Sequence, residues 1–361
     1  MKILNKNKNL GLVSIAMAIV FILISAVLMA ISSSSTMMGI KIINNSKYND
    51  IAFDAAKAGL NYALADLNEN FFTYMGMTSI NSSNSVTLGN NTSFTINYKN
   101  LSSGDNTLLL VTSTGTELNS NISKTMSQLF QFKSLLINSP ETGAVTKGDV
   151  TLVNKSNINS TSTENTMWAS GTFSANGPQA YTTNVDTYPF PSSDFHTTSS
   201  DVIEGDSSLG SLSDDEFVQN FFGTDLDSIK KIANKYYYNT TNTNYSSELN
   251  GQKGKIIYIE QASSVAELDQ GITLGTPDEP VILIVEGQFK MSGFSKFYGL
   301  LFLTEKWVDK FDYGEINGTV IVNGDLKLKN VAEVNYSPDI LDNISGKFGL
   351  YSKVPGSWKD F

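Results

Sequence analysis

The 361-residue chain contains no cysteine, no arginine and only one histidine. Without cysteine there is no disulfide, no thiolate nucleophile and no thiolate-ligated metal, so stability outside a cell has to come from packing. All 25 basic residues are lysine, which removes the planar bidentate fork that usually grips carboxylate or phosphate; a bias of composition toward Lys and Asn is the plainer explanation. His196 stands in a Ser/Thr/Pro-rich stretch between Pro191 and Asp201. One histidine excludes the HExxH zinc pattern, and its setting argues against a serine triad, which needs a rigidly held imidazole. Formal net charge is −10, and with Lys2, Lys6 and Lys8 set aside the remainder carries −13. Such an acidic body does not seek nucleic acid or anionic lipid, and no nucleic-acid partner is expected.

What the chain does have is an uncharged run from Leu10 to Ile31. As a helix it is roughly 33 Å long, enough to cross the hydrocarbon core of a bilayer. The three lysines ahead of it keep the first residues cytoplasmic and send the bulk of the chain outward, so a single-pass inner-membrane protein in contact with lipid is expected. A secretory signal with cleavage around Ala30-Ile31-Ser32 is the alternative, although its apolar region would ordinarily be shorter.

A helical pattern resumes between about Asp50 and Phe72. Ile51, Ala55, Ala58, Tyr62 and Ala65 recur at spacings of four and three and predict one apolar stripe, beside a polar face of Asp54, Lys57, Asn61 and Asn68. Asp50 is placed to cap this helix, and Ser32 to Ser35 with Gly39 predict a bend or a stretch of weaker helix before it. Ala55, Ala56, Ala58, Gly59, Ala63 and Ala65 make the helix thin and able to pack closely.

The segment from Lys8 to Ala16, the uncharged stretch after it, and Ala52-Phe53-Asp54-Ala55-Ala56-Lys57-Ala58-Gly59-Leu60 resemble the N-terminal region of PilX-type type IV pilus assembly proteins. The resemblance extends from the amino end to about Asn70. It implies a short basic leader cut by a prepilin peptidase between Gly11 and Leu12, leaving Leu12 as a methylated terminus. It also implies other pilins or minor pilins as partners through the N-terminal helix. Major pilins of this kind carry Glu at the fifth mature position, where this chain has Ala16. The resemblance therefore implies a minor, priming or tip-located role in the type IV pilus rather than the repeating subunit, with a tip pseudopilin of type II secretion or an exported surface adhesin as alternatives.

Beyond Phe72, Ser, Asn, Thr and Gly alternate with short apolar runs, the pattern of strands joined by turns. Val86 to Leu88, Phe94 to Tyr98, Leu108 to Thr112 and Lys124 to Phe132 predict a small antiparallel sheet on the helix, with a turn at Gly89-Asn90-Asn91. From about Leu135 there are internal echoes. Gly148-Asp149-Val150-Thr151-Leu152-Val153-Asn154 parallels Gly324-Asp325-Leu326-Lys327-Leu328-Lys329-Asn330, and Gly287 to Met291 repeats the form ahead of Gly324. Two coils of a right-handed parallel β-solenoid fit the interval from Gly287 to Gly324; an antiparallel sandwich is the other reading.

The expected architecture is α+β: leader 1–11, long hydrophobic helix 12–72, small sheet 73–134, β-solenoid-like domain 135–345 with a helical insertion at about 187–250, and tail 346–361. Within the insertion, Ser213-Asp214-Asp215-Glu216 predicts a capping box rather than a calcium site, and Asp225 opens a second helix. Tyr236, Tyr237, Tyr238 and Tyr245 form either a sugar- or partner-binding face or an ordinary half-buried strand. Solenoid strands rich in Thr, Lys and Asn, without converging carboxylates or arginine, argue against polysaccharide-lyase chemistry. A structural protein without catalytic residues, metal or cofactor is the expectation.

Overall fold

The computed structural model describes residues 6–69, 74, 83–89, 91–102, 107–163, 165–177, 179–184, 201–238, 244–304 and 313–360. His196 lies outside them. The chain divides into two compact units, one built from Met1–Glu69, Met77–Gln131 and Ser352–Phe361, the other from Asn70–Gly76 and Phe132–Tyr351. The fold is α+β: a long, apolar N-terminal helix followed by sheet-rich structure.

In the first unit a single helix runs from Lys6 to Glu69. Across Ser32 to Ser35, where the sequence predicts a bend or a stretch of weaker helix, the helix is unbroken; serine lowers helix propensity only by tenths of a kcal/mol, and Thr36 Oγ1 donates back to the Ser32 carbonyl at 2.9 Å. Asp50 is consequently an interior helical residue, not a cap. Strands Ser83–Leu88, Thr92–Asn100, Leu108–Glu117 and Ile122–Ser134 pair antiparallel in that order, which agrees with the sheet expected from their alternation. The strand Lys359–Asp360 adds itself antiparallel to Ile122–Ser134.

The helix meets this sheet through Ala52, Ala55, Ala56, Gly59, Leu60, Ala63 and Leu67, all buried. That stripe is rotated from the expected one: only Ala55 is shared, Ile51 and Ala58 are half-buried, and Tyr62 and Ala65 are exposed. The large Ile51 and Tyr62 attracted the sequence pattern, whereas close approach selects small residues. The clearest case is Gly115 on the third strand, where any Cβ would collide with the helix backbone at Ala52 and Ala56. Opposite it on the helix, a Cβ on Gly59 would strike Ser113 and Phe94.

The second unit is a stack of parallel strands. Across its main sheet the order is Tyr181–Thr183, Asn157–Ser160, Glu333–Tyr336, Glu315–Val322, Lys296–Leu303, Val281–Met291, Ile256–Leu268, Lys235–Tyr238, and a second arm leaves Glu315–Val322 through Ala144–Thr146 and Met167–Ala169 to Val202–Ile203. Successive passes are short: Val281 pairs with Gly299, and Gly299 in turn with Gly318. These two passes together span the same interval as the echo from Gly287 to Gly324. Gly299 (φ +150°) and Gly318 (φ +136°) stack directly on each other in a conformation that other residues rarely adopt, and a Cβ on either would strike the carbonyl of the preceding strand. Leu326–Lys329 lies beside Val150–Val153, which lies beside Phe173–Asn176. The two echoing segments are thus adjacent rungs, with Asp325 Oδ1 accepting from Asp149 N at 3.0 Å and Asp149 Oδ1 from Thr172 N at 2.7 Å.

Chain order and stack order differ. The strands that begin the stack, from Ala144, and those that end it, from Glu315, are neighbours. They pair at one constant offset along the chain, as in Ala144 with Val320, Val150 with Leu326 and Asn157 with Glu333. The central strands are buried on both faces, which is why they read as continuous apolar runs rather than alternating ones. Ile257, Leu283, Leu301 and Val320 point to the interior of the stack. Tyr258, Ile284, Phe302 and Ile321 point out and are covered by the helices Asp214–Phe222, Leu226–Ile232 and Pro338–Lys347. The first of these has the expected capping box, Ser213 and Glu216 serving each other's backbone, and the second is capped by Asp225.

Candidate functional site

Two surfaces carry chemistry that the core does not use. The first is the N-terminal half of the long helix. From Ile15 to Ile43 its large side chains stand exposed all round, Phe21 at 66%, Ile22 at 67% and Met29 at 73% among them. A helix polar on one face would gain from water there; one apolar all round has to be covered by lipid or by other helices. This is the one helix among the described residues long and apolar enough to cross a membrane. Ala16 lies on this exposed stretch. Gly11 and Leu12 are in the same helix, near its start.

The second surface is built on the strand Lys235–Tyr238, last in the order of the main sheet. Alternation splits the four tyrosines. Tyr236 (45% exposed) and Tyr238 (60%) project outward with their rings 6.1 Å apart, while Tyr237 turns inward against Tyr245, which is 1% exposed. The outward face therefore consists of Tyr236 and Tyr238, and the other two belong to packing.

Around them lies a group that sequence reasoning missed. Lys230, from the helix Leu226–Ile232, reaches Glu286 at 2.8 Å and Glu260 at 3.1 Å, and stands 5.2 Å from the centre of the Tyr258 ring. Tyr236 donates to Glu260 at 2.5 Å and Tyr258 to Glu286 at 2.9 Å. The only sequence signal would have been the register, since Glu260 and Glu286 are paired neighbours in adjacent strands. Burial works against a charged Lys230, but its hydrogen bonds to Glu286 and Glu260 raise its pKa above the ordinary lysine value. The hydrogen bond from Tyr236 holds the Glu260 carboxyl below its usual range, and the same bond pushes the phenol of Tyr236 up to about 12. Lys230, Glu260 and Tyr236 are thereby each held in one protonation state across the neutral range. Such an arrangement holds a surface in shape; it does not supply a group poised to exchange protons near pH 7. Among the described residues no cluster of three or more Asp, Glu or His is arranged to hold a metal ion.

No protein-family model matches the chain, and no curated protein matches it in sequence. Among solved structures it is similar to the competence-associated pilin ComZ from Thermus thermophilus, with 11% identity over 87% of this chain and 97% of that one and a TM-score of 0.26. A superposition of that quality carries no argument about what this chain does.

Proposed function

We propose that the chain is a minor pilin-like structural protein of a type IV pilus, acting in assembly, priming or tip decoration. The observation that carries this reading is the division of labour along one helix. Its C-terminal half is fitted by small residues into an antiparallel sheet, and its N-terminal half presents large apolar side chains that none of the described residues covers. In the precursor this half sits in the inner membrane with its amino end cytoplasmic; after cleavage between Gly11 and Leu12 by a prepilin peptidase, it packs laterally against the helices of other pilins. With Ala16 in place of a carboxylate, nothing there pairs with a neighbouring amino terminus, which favours a terminal position over a repeated one. The parallel stack, as a short β-solenoid, is the exported head.

Mass spectrometry of the protein recovered from cells tests this. A methylated Leu12 terminus supports it, and Gly11→Val should leave uncut precursor in the membrane. A soluble species beginning near Ser33 would replace this reading with that of a secreted adhesin.

A further inference from the structure

An open cleft of about 630 Å³ lies at the end of the stack opposite the tyrosine strand. Its origin can be traced through the register. One outward-facing row crosses the whole sheet: Ile203 beside Trp168, Trp168 beside Val145, then Ile321, Phe302, Ile284, Tyr258 and Tyr236. The helical layer covers the middle of the row, with Phe217 and Phe222 against Phe302 at 6.0 and 5.2 Å. It ends at Phe221, where the carbonyl is taken by the amide of Ile137 at 2.8 Å. Trp168, half-buried against the edge of that layer, and Ile203, 40% exposed, line the cleft together with Phe221.

The remaining lining is rich in amide and hydroxyl groups, Asn138, Asn165 and Asn220 with Ser139, Thr142 and Thr163. Asn138 Nδ2 already donates to the Asn220 carbonyl at 2.5 Å, Thr142 Oγ1 to the Ala144 carbonyl at 3.0 Å and Thr163 Oγ1 to the Asn165 carbonyl at 2.8 Å, which leaves chiefly the carboxamides of Asn165 and Asn220 to meet a ligand. Among the described lining residues Glu141 is the one ionisable side chain, and none is a cation. The indole is held in place, since Trp168 Nε1 donates to Asp206 Oδ2 at 2.8 Å. Hydrogen bonds from Ser208 and then from Trp168 keep Asp206 below its usual carboxylate range, so the clamp stays charged at neutral pH. A fixed aromatic ring offers a face to the C–H side of a sugar ring, and carboxamides present a donor and an acceptor together, as vicinal hydroxyls require. With no lysine among the described lining residues, an anionic chain finds no counter-charge from them. The volume is that of an ordinary ligand site.

We propose that this cleft binds a neutral carbohydrate chain, stacked on Trp168 and hydrogen-bonded by the surrounding asparagines. The test uses full-length protein in detergent with Trp307 and Trp358 changed to Phe, so that Trp168 alone reports. Cellohexaose, N-acetylchitohexaose, hexagalacturonate and a neutral Ser/Thr/Asn hexapeptide are titrated against its fluorescence. Saturable change with at least one neutral hexasaccharide and none with hexagalacturonate is expected. In the chain with all three native tryptophans, binding measured by calorimetry should weaken at least about tenfold in Trp168→Ala, less in Trp168→Phe, and not at all in Tyr238→Ala. Thermal unfolding of each variant shows whether the fold is kept; Trp168→Phe carries the comparison should the alanine variant melt. No saturable change with either neutral sugar, preference for hexagalacturonate or the peptide, or unaltered affinity in both Trp168 variants would overturn the proposal. Processing at Gly11 is not involved, so the proposal stands or falls apart from the pilin reading.

Discussion

The two halves of the long helix solve opposite problems with the same backbone. Between Ile15 and Ile43 the large apolar side chains are exposed; between Ala52 and Leu67 the buried ones are mostly Ala and Gly. Size and burial are usually correlated, and here they are inverted. The difference teaches that the covered half is specified by how near a sheet can come, and the uncovered half by how much apolar surface is offered to something outside the chain. Hydrophobicity alone ranks the halves in the wrong order of burial.

The contrast can be broken most severely at Gly115. Gly115→Leu places a branched side chain where helix backbone already lies, and unfolding of the full chain in detergent by urea should show a loss of about 3 kcal/mol or more. A loss under about 1 kcal/mol would mean that helix and sheet are not closely apposed. In the uncovered half, Leu23→Lys should leave that unfolding curve unmoved while costing about 2.5–3.5 kcal/mol of membrane insertion, read as release into the soluble fraction. A curve that shifts would show that the apolar half packs on its own chain.

Smaller effects sharpen the picture. Ser113 is fully buried against Gly59, and its hydroxyl has no partner among the described residues. Ser113→Ala should therefore be neutral or stabilising by up to about 1 kcal/mol, whereas a hidden hydrogen bond would make it destabilising. The smallest effect concerns Lys353, which reaches Asn61 on the covered half at 2.5 Å. Burial, and next the charge of Lys57, lower its pKa. The folded state thus binds this proton less tightly than the unfolded one, and stability should rise as pH climbs through the lowered value toward the ordinary lysine range. Lys57→Gln should blunt that rise by a few tenths of a kcal/mol.

Alternation exposed the antiparallel strands to sequence reading, because Thr92–Asn100 and Leu108–Glu117 have one buried face each. The capping box was equally readable, being a contact between near neighbours, Ser213 and Glu216. The echo around Asp149 and Asp325 marked neighbouring rungs because the same turn recurs in the same place. The buried stripe of the helix was not readable, since Ala and Gly give little hydrophobic signal and the exposed Tyr62 gives a strong one. For the candidate sites, the sequence pointed to the tyrosines but could not say which way Tyr237 faces. Glu260 and Glu286 become neighbours through strand register, and Lys230 and Trp168 meet Glu260 and Asp206 through tertiary packing, which no local pattern encodes.

The long stretch of chain between Ala144 and its partner Val320 has a temporal meaning. A chain made amino end first presents the rung at Ala144 with one edge vacant, and the piece that fills it arrives only with Val320 to Val322. Closing so long an interval is slow, and an unfilled parallel edge is open to the wrong partner. Completion of the stack therefore waits on a stretch made long after the rungs it covers, so a chain interrupted before Tyr336 leaves the edge from Ala144 to Ser160 partly bare.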